Sequence, residues 1–459
     1  MILHVGAIIL ANALLAALGS GVLMLIDAWR RLGWWARAAV TVLAGQAAFA
    51  AGAPLLLYAR LSVSPFIVVP VIALVVAAGV VVERRRNRPA EPRPCGGGWV
   101  GAAFVSAPLL VLAIRAALHP LFQFDTISNW VLKATVIWAG GDRVTGVLDP
   151  RLFTRPDLHP QSHLEYPLGM NALYAWDLQW LGTVDTRVIH LQAVVILAAA
   201  VGTAWVLLRP IVPAWPLAAG LAGLVMMPTL IDSVLSAYAD VPLACLWAIG
   251  TIALMRWTAE GESYLLRLAT LLLAGALAVK QDGVFYDVAA YVAVGIPLLL
   301  HSRGRLRALG ASAGIVALSA VPWRVYSAWH HLGQTDIRPG IERMESQTGN
   351  LRPTADGLVH VLTSRATLLA VPIAVAFAIV CLRRRRRAEA APFLIAAGLV
   401  PAAVLMIYWN AAVDLRLVLI SALSRILLGL IILAWLLLPA LVLGAIGSPP
   451  PPRPLDRAG

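Results

Sequence analysis

The chain reads as an all-α, polytopic transmembrane helix bundle of about 13 helices, a class that three observations support. Hydrophobic residues fill 60% of the 459 positions and charged residues only 13%, whereas soluble domains carry about 25% charge. Mean hydropathy is +0.82. Apolar runs recur along the whole length, each close to the roughly 20 residues that cross about 30 Å of hydrocarbon at 1.5 Å per residue.

In order, the runs fall at 2–26, 38–59, 65–82, 99–118, 187–208, 211–231, 239–257, 264–279, 284–300, 307–327, 367–382, 391–411 and 418–446. The first lacks a basic start, is too long for a signal core and is followed by Arg30 and Arg31, so it reads as a retained span. A linker at 83–98 rich in Arg, Pro and Gly marks the one module boundary. Residues 1–98 hold three leading helices and this basic linker, 99–446 a core with outer loops at 118–186 and 328–364, and 447–459 a Pro-rich tail. No internal repeat is visible, which weighs against transporter folds.

A formal net charge of +13 raises nucleic acid as a partner, but the arginines sit in short clusters between apolar runs, as at 84–86 and 383–387. Orientation signals explain that pattern better than nucleic-acid binding. The three cysteines, Cys95, Cys245 and Cys381, are too far apart to indicate a disulfide framework or a metal cluster. Sidedness turns on 166–181, a short apolar stretch holding Asn171, Asp177 and Gln179. If it does not cross, Arg30, Arg31, Arg84, Arg209, Arg256, Arg303 and the run from Arg383 all face one side. It is therefore read as an interfacial or re-entrant helix in a protein of the cytoplasmic (inner) membrane, with the N-terminus outside and the C-terminus cytoplasmic. The 118–186 loop then faces outward with Asp240, Lys280 and the 328–364 segment.

That first loop carries FDTISNWVLKATVIW and HLEYPLGM. Between Asp125 and Trp138 the apolar residues keep helical spacing, while Asp125, Asn129 and Lys133 recur every four residues. The pattern predicts a helix lying on the membrane, its tryptophans at the headgroups and its polar row above the bilayer. An alternative makes Asp125 a helix cap and Lys133 a solvated charge. His163 and Glu165 could hold a divalent metal ion, or be ordinary surface groups. Arg425 lies within the last apolar run, where a guanidinium is costly unless a phosphate or a carboxylate answers it. Arg324 and Asp287 could pair with each other in a structural role.

An outward loop that opens with Asp and a W-x-x-K-A helix and closes on E-Y-P-L resembles the first periplasmic loop of GT-C-type integral-membrane glycosyltransferases. More specifically, it is similar to bacterial members related to the family that includes protein mannosyltransferases and lipid A aminoarabinose transferase. YADVPLA at 238–244, AVKQDG at 278–283 and ALSRILLGL at 422–430 fit the same pattern, and the resemblance covers roughly 99–446. Three departures stand beside it: the leading helices, a lone Asp125 without a second acidic neighbour, and no large soluble domain after the last span. The resemblance implies inverting transfer of a sugar from a polyprenyl-phosphate-linked donor to an envelope glycan, lipid or protein acceptor among membrane lipids. It implies Asp125 as general base, Glu165 and Asp240 as supporting carboxylates, and Lys280, Arg425 and Lys133 as ligands of the donor phosphate. For Asp240 a plain helix cap is the alternative, and for Lys280 a snorkelling pair with Asp282. Two other functions compete, a lipid-linked sugar transporter (flippase) and an O-antigen ligase or polymerase-like enzyme using outer-loop arginines.

Overall fold

Long apolar runs leave the backbone only one way to satisfy its polar groups in lipid, and the chain folds accordingly into helices. The computed structural model describes residues 2–86, 98–140, 165–329, 348–384, 388–410 and 422–447, which hold helices and no strand. In chain order these are α1 (Ile2–Leu25), α2 (Trp34–Tyr58), α3 (Pro65–Arg85), α4 (Gly98–Leu118), a π-helical turn (Thr126–Val131) and α5 (Leu132–Gly140). Next come α6 (Gly169–Leu181), α7 (Thr186–Leu208), α8 (Ala214–Val225), α9 (Pro228–Leu235), α10 (Asp240–Glu260) and α11 (Ser263–Val279). The chain continues through α12 (Gly283–His301), α13 (Leu306–Trp329), α14 (Leu351–Thr363), α15 (Ala370–Arg383), α16 (Ala390–Trp409) and α17 (Leu428–Ile446).

Among the described residues nine helices are long and apolar enough to cross a membrane, or ten if α8 and α9, bent by 52°, form one broken span. The protein is a multi-pass membrane protein. Three further apolar helices, Ala103–Leu118 within α4, α11 and α15, run to 17 residues or fewer, so the expected total of about 13 depends on counting them as spans. Burial sorts the spans: the most hydrophobic window of α10 is 94% buried, that of α3 only 17%. An all-round apolar helix such as α10 therefore forms the axis, and α3 faces outward.

The leading helices share the core with α6, α7 and α11. Small residues let α1 and α2 nearly touch, because a Cβ on Gly45 would stand 1.8 Å from the Leu15 carbonyl oxygen. At the same crossing three buried amides close a ring across α1, α2 and α7. Asn12 donates to Gln192 (2.8 Å), Gln192 to Gln46 (2.7 Å) and Gln46 to Asn12 (2.5 Å). Replacing Gln46 alone by Leu orphans a donor and an acceptor and is expected to destabilise by about 1–3 kcal/mol. Replacing all three by apolar residues should cost less than that single change, as denaturant unfolding in detergent would show.

Ion pairs define one end of the bundle. Arg30 holds Glu83 (2.5 Å), Arg31 holds Glu262 (2.8 Å), Arg267 reaches Asp27 (3.7 Å) and Arg256 reaches Glu389 (3.3 Å). These residues sit where α1, α3 and α10 end and where α11 and α16 begin, so the basic clusters gather at a common pole. Because α10 starts and α11 ends at the other pole, Asp240 and Lys280 lie together there.

The 166–181 stretch, expected as an interfacial or re-entrant helix that does not cross, forms α6, which is buried inside the protein rather than spread on its surface. Its 13 residues reach about 20 Å, short of a span. It starts beside Ala278 and returns to Asp185 next to His4, so both of its ends lie at the pole of Lys280. The 328–364 segment is not loop throughout, since α14 occupies Leu351–Thr363 and turns Thr354 and Leu358 inward. Within that segment, 330–347 lies outside the described residues, as does most of the linker at 83–98.

Candidate functional site

At the pole opposite the arginine clusters, charges distant in sequence meet. Asp125 enters the π-helical turn with helical backbone angles and makes no side-chain cap bond, so the capping alternative fails. Its Oδ2 accepts from Arg425 Nη2 at 2.9 Å across 300 positions. Arg425 thus finds the carboxylate that its burial demands, and its guanidinium also lies 4.0 Å above the Tyr238 ring. Burial opposes the guanidinium charge, but Asp240 and Asp125 outweigh it and raise the Arg425 pKa.

Asp240 opens α10, and its Oδ1 accepts from Lys280 Nζ at 2.7 Å. Lys280 caps α11 and also meets Asp282 at 2.7 Å, so it bridges two carboxylates. Burial would lower its pKa, yet the two aspartates hold it well above the ordinary lysine value. The snorkelling alternative is thereby only half right. Asp282 is a partner, but Lys280 is buried among acids rather than reaching out to the headgroups.

Lys133 departs from expectation. The helical segment exists, but Asn129 and Lys133 are buried and Ile127 is 43% exposed, so the polar row points into the protein. Packing against α6 explains the inversion: Asn171 donates to the backbone oxygens of Asn129 and Trp130, and the π-helical turn shifts the residue spacing. Lys133 is neither a solvated charge nor a membrane-surface group. Burial lowers its pKa to about 8, partly offset by Glu165.

A lysine with a depressed folded-state pKa binds fewer protons folded than unfolded between about 8 and 10.5. Stability then rises with pH across that window. Lys133→Met should therefore gain most on the wild-type protein at pH 7 and lose that advantage by pH 10.5. A pH-independent difference in unfolding free energy would contradict a lysine whose pKa burial lowers.

Glu165 lies within electrostatic reach of Lys133 and of Tyr166, and Tyr166 in turn senses Lys280, Asp282 and Asp240. Tyr166 stacks on Trp130 at 5.7 Å, and burial raises its phenol pKa. All six carboxylate and cation candidates therefore belong to one electrostatic neighbourhood. Backbone bonds hold it: Thr126 donates to the Ser236 carbonyl (2.6 Å) and Tyr174 to that of Ala237 (2.8 Å). Tyr286 donates to the Ile426 carbonyl, and Gly429 gives its ring and Trp247 room.

Tyr238 and Tyr286 were not anticipated, although Tyr238 opens the YADVPLA motif. No local signal marks Tyr286. His163 lies outside the described residues, and with it the metal pair with Glu165. Among the described residues no three His, Cys, Asp or Glu gather as a metal set. Arg324 and Asp287 do not pair: Arg324 is exposed, while both Asp287 carboxylate oxygens are buried without a hydrogen-bond partner. Comparison with protein-family models, curated proteins and solved structures finds no match.

Proposed function

We propose that this protein is an inverting membrane glycosyltransferase that moves a sugar from a polyprenyl-phosphate carrier to an acceptor hydroxyl at the outer face of the cytoplasmic membrane. The carrying observation is the meeting of Asp125 with Arg425 and of Asp240 with Lys280 at the pole opposite the arginine clusters. In this orientation the N-terminus is outside and the C-terminus cytoplasmic, as the arginine bias directs.

Such transfer needs a base for the acceptor and cations for the leaving phosphate, in a site where low dielectric strengthens both. Asp125 presents Oδ1 without a partner among the described residues, while Oδ2 holds Arg425. The donor phosphate displaces Asp125 from Arg425 and gains Lys280 as a second cation. Asp125 is then free beside the acceptor. The acceptor oxygen bonds to the anomeric carbon, the bond from that carbon to the phosphate oxygen breaks with its electron pair left on the phosphate, and the hydroxyl proton passes to Asp125. Asp240 and Glu165 orient the acceptor, and Lys133 supports the anionic end of the donor.

Reconstituted protein given a polyprenyl-phosphate sugar and an envelope-extract acceptor tests the reading. Label should move to the acceptor with release of polyprenyl phosphate, and no such movement would contradict it.

A further inference from the structure

A carboxyl that the proposed chemistry does not use lies within a membrane span. Asp287 stands four residues after Gly283, the first residue of α12, and so about 6 Å below the outer pole. It is 5% exposed, and neither of its carboxylate oxygens has a hydrogen-bond partner among the described residues. The helices packed on α12 are α10, α11, α13 and α16. Their outer halves bring Asp240, Cys245, Lys280, Arg324, Tyr326 and Tyr408 as ionisable groups, and none of these bonds to Asp287. An ionised carboxylate alone in so apolar a place is costly, whereas the neutral acid carries no charge to desolvate.

Hydroxyl groups continue inward from it. Tyr291 follows one turn later on the same face of α12, within reach by side-chain rotation, and senses the Asp287 charge. Its phenol hydrogen-bonds with Ser312 Oγ of α13 at 2.7 Å, and Ser312 Oγ with Thr270 Oγ1 of α11 at 2.6 Å. Thr270 in turn donates to the Leu266 carbonyl at 2.8 Å. That last bond fixes the direction of the rest, because a carbonyl only accepts and each hydroxyl has one proton to give. Thr270 donates to Leu266, so Ser312 donates to Thr270 and Tyr291 to Ser312. The phenol oxygen of Tyr291 is thereby left as an acceptor, which suits a protonated Asp287 and not an ionised one.

We propose that Asp287 is a proton-binding site inside the membrane, loaded from the outer pole, with the Tyr291–Ser312–Thr270 line accepting from the bound acid. Ending on a carbonyl, the line closes a site and does not continue as a path to the other face. A metal cation is a poorer occupant, since hard cations gather about six oxygens and each hydroxyl here is spent on its neighbour. Loading removes a negative charge from beneath Lys280 and Asp282, so the proton sets the field under the charged centre. The site stands independently of sugar transfer.

The test treats the full chain in lipid nanodiscs with dicyclohexylcarbodiimide, an apolar reagent that reacts with the acid form of a carboxyl. Val284, Val288 and Val292 turn an exposed apolar stripe of α12 to lipid, the side from which it arrives. The carboxyl oxygen bonds to the central carbon of the reagent and the acid proton moves to one nitrogen. Acyl shift to a nitrogen then leaves a stable N-acylurea, with no leaving group. Peptide mapping should find this adduct on Asp287 at neutral pH, declining as the pH is raised, with no protection by sodium chloride. Asp287→Asn should abolish that adduct. Tyr291→Phe should lower the pH midpoint of labelling by about half a unit to one unit, the worth of one neutral hydrogen bond to the acid form. Thermal unfolding in the same discs verifies that each variant folds. No adduct on Asp287, labelling indifferent to pH, protection by sodium, or a midpoint unmoved by Tyr291→Phe would overturn the inference.

Discussion

Asp125→Asn is expected to lower sugar transfer by about 10²- to 10⁴-fold, the usual worth of a positioned general base. The substitution is close to isosteric, and the amide oxygen still accepts from Arg425, so the local geometry survives. What disappears is the capacity to take a proton. Asp125 is 44% exposed on its side chain, so the lost ion pair should change stability by less than about 1 kcal/mol. The loss should therefore appear in kcat with little change in KM for the donor, the signature of an interaction needed in the transition state. Steady-state transfer in proteoliposomes separates the two. An unchanged kcat would take Asp125 out of the chemistry and leave it a structural partner of Arg425.

Lys280→Met should have the largest effect on stability. Lys280 and Asp240 are both buried, and Asp282 shares the same ammonium. Removing the cation strands the buried Asp240 carboxylate and takes the partner from the half-buried Asp282, which costs about 3–5 kcal/mol. Lys280→Met combined with Asp240→Asn should recover much of that loss, because an amide needs no countercharge. Denaturant unfolding of the two variants and the wild-type protein gives the comparison. A Lys280→Met protein as stable as the wild type would mean that the bridge does not form.

How much of this was legible in the sequence differs by kind of feature. Apolar runs translate into helices within a few residues, as at Ile2–Leu25 and Thr186–Leu208, because lipid permits the backbone little else. The arginine bias likewise places Asp240 and Lys280 at one pole, since it depends only on counting crossings. Direction within a helix was not legible. Periodicity at Asp125–Trp138 separates two faces but does not say which is buried, and the answer came from Asn171 on a different helix.

Partner choice was hidden for a related reason. The apolar setting of Arg425 says that something anionic must answer it, yet Asp125 stands 300 positions away. The amide ring of Asn12, Gln46 and Gln192 is invisible for the same reason, as no local pattern links three separate spans. Tyr238 was on view inside a motif, but only its position over a guanidinium gives it a task.

Transfer and transport make opposite demands on the chemical fate of one molecule. A polyprenyl-phosphate sugar labelled in both sugar and lipid, given to the purified protein in sealed proteoliposomes with acceptor extract, decides between them. Sugar transfer at the charged centre requires the sugar label to leave the lipid, with polyprenyl phosphate formed in equal amount. Intact donor recovered on the opposite leaflet, both labels still joined, would contradict it.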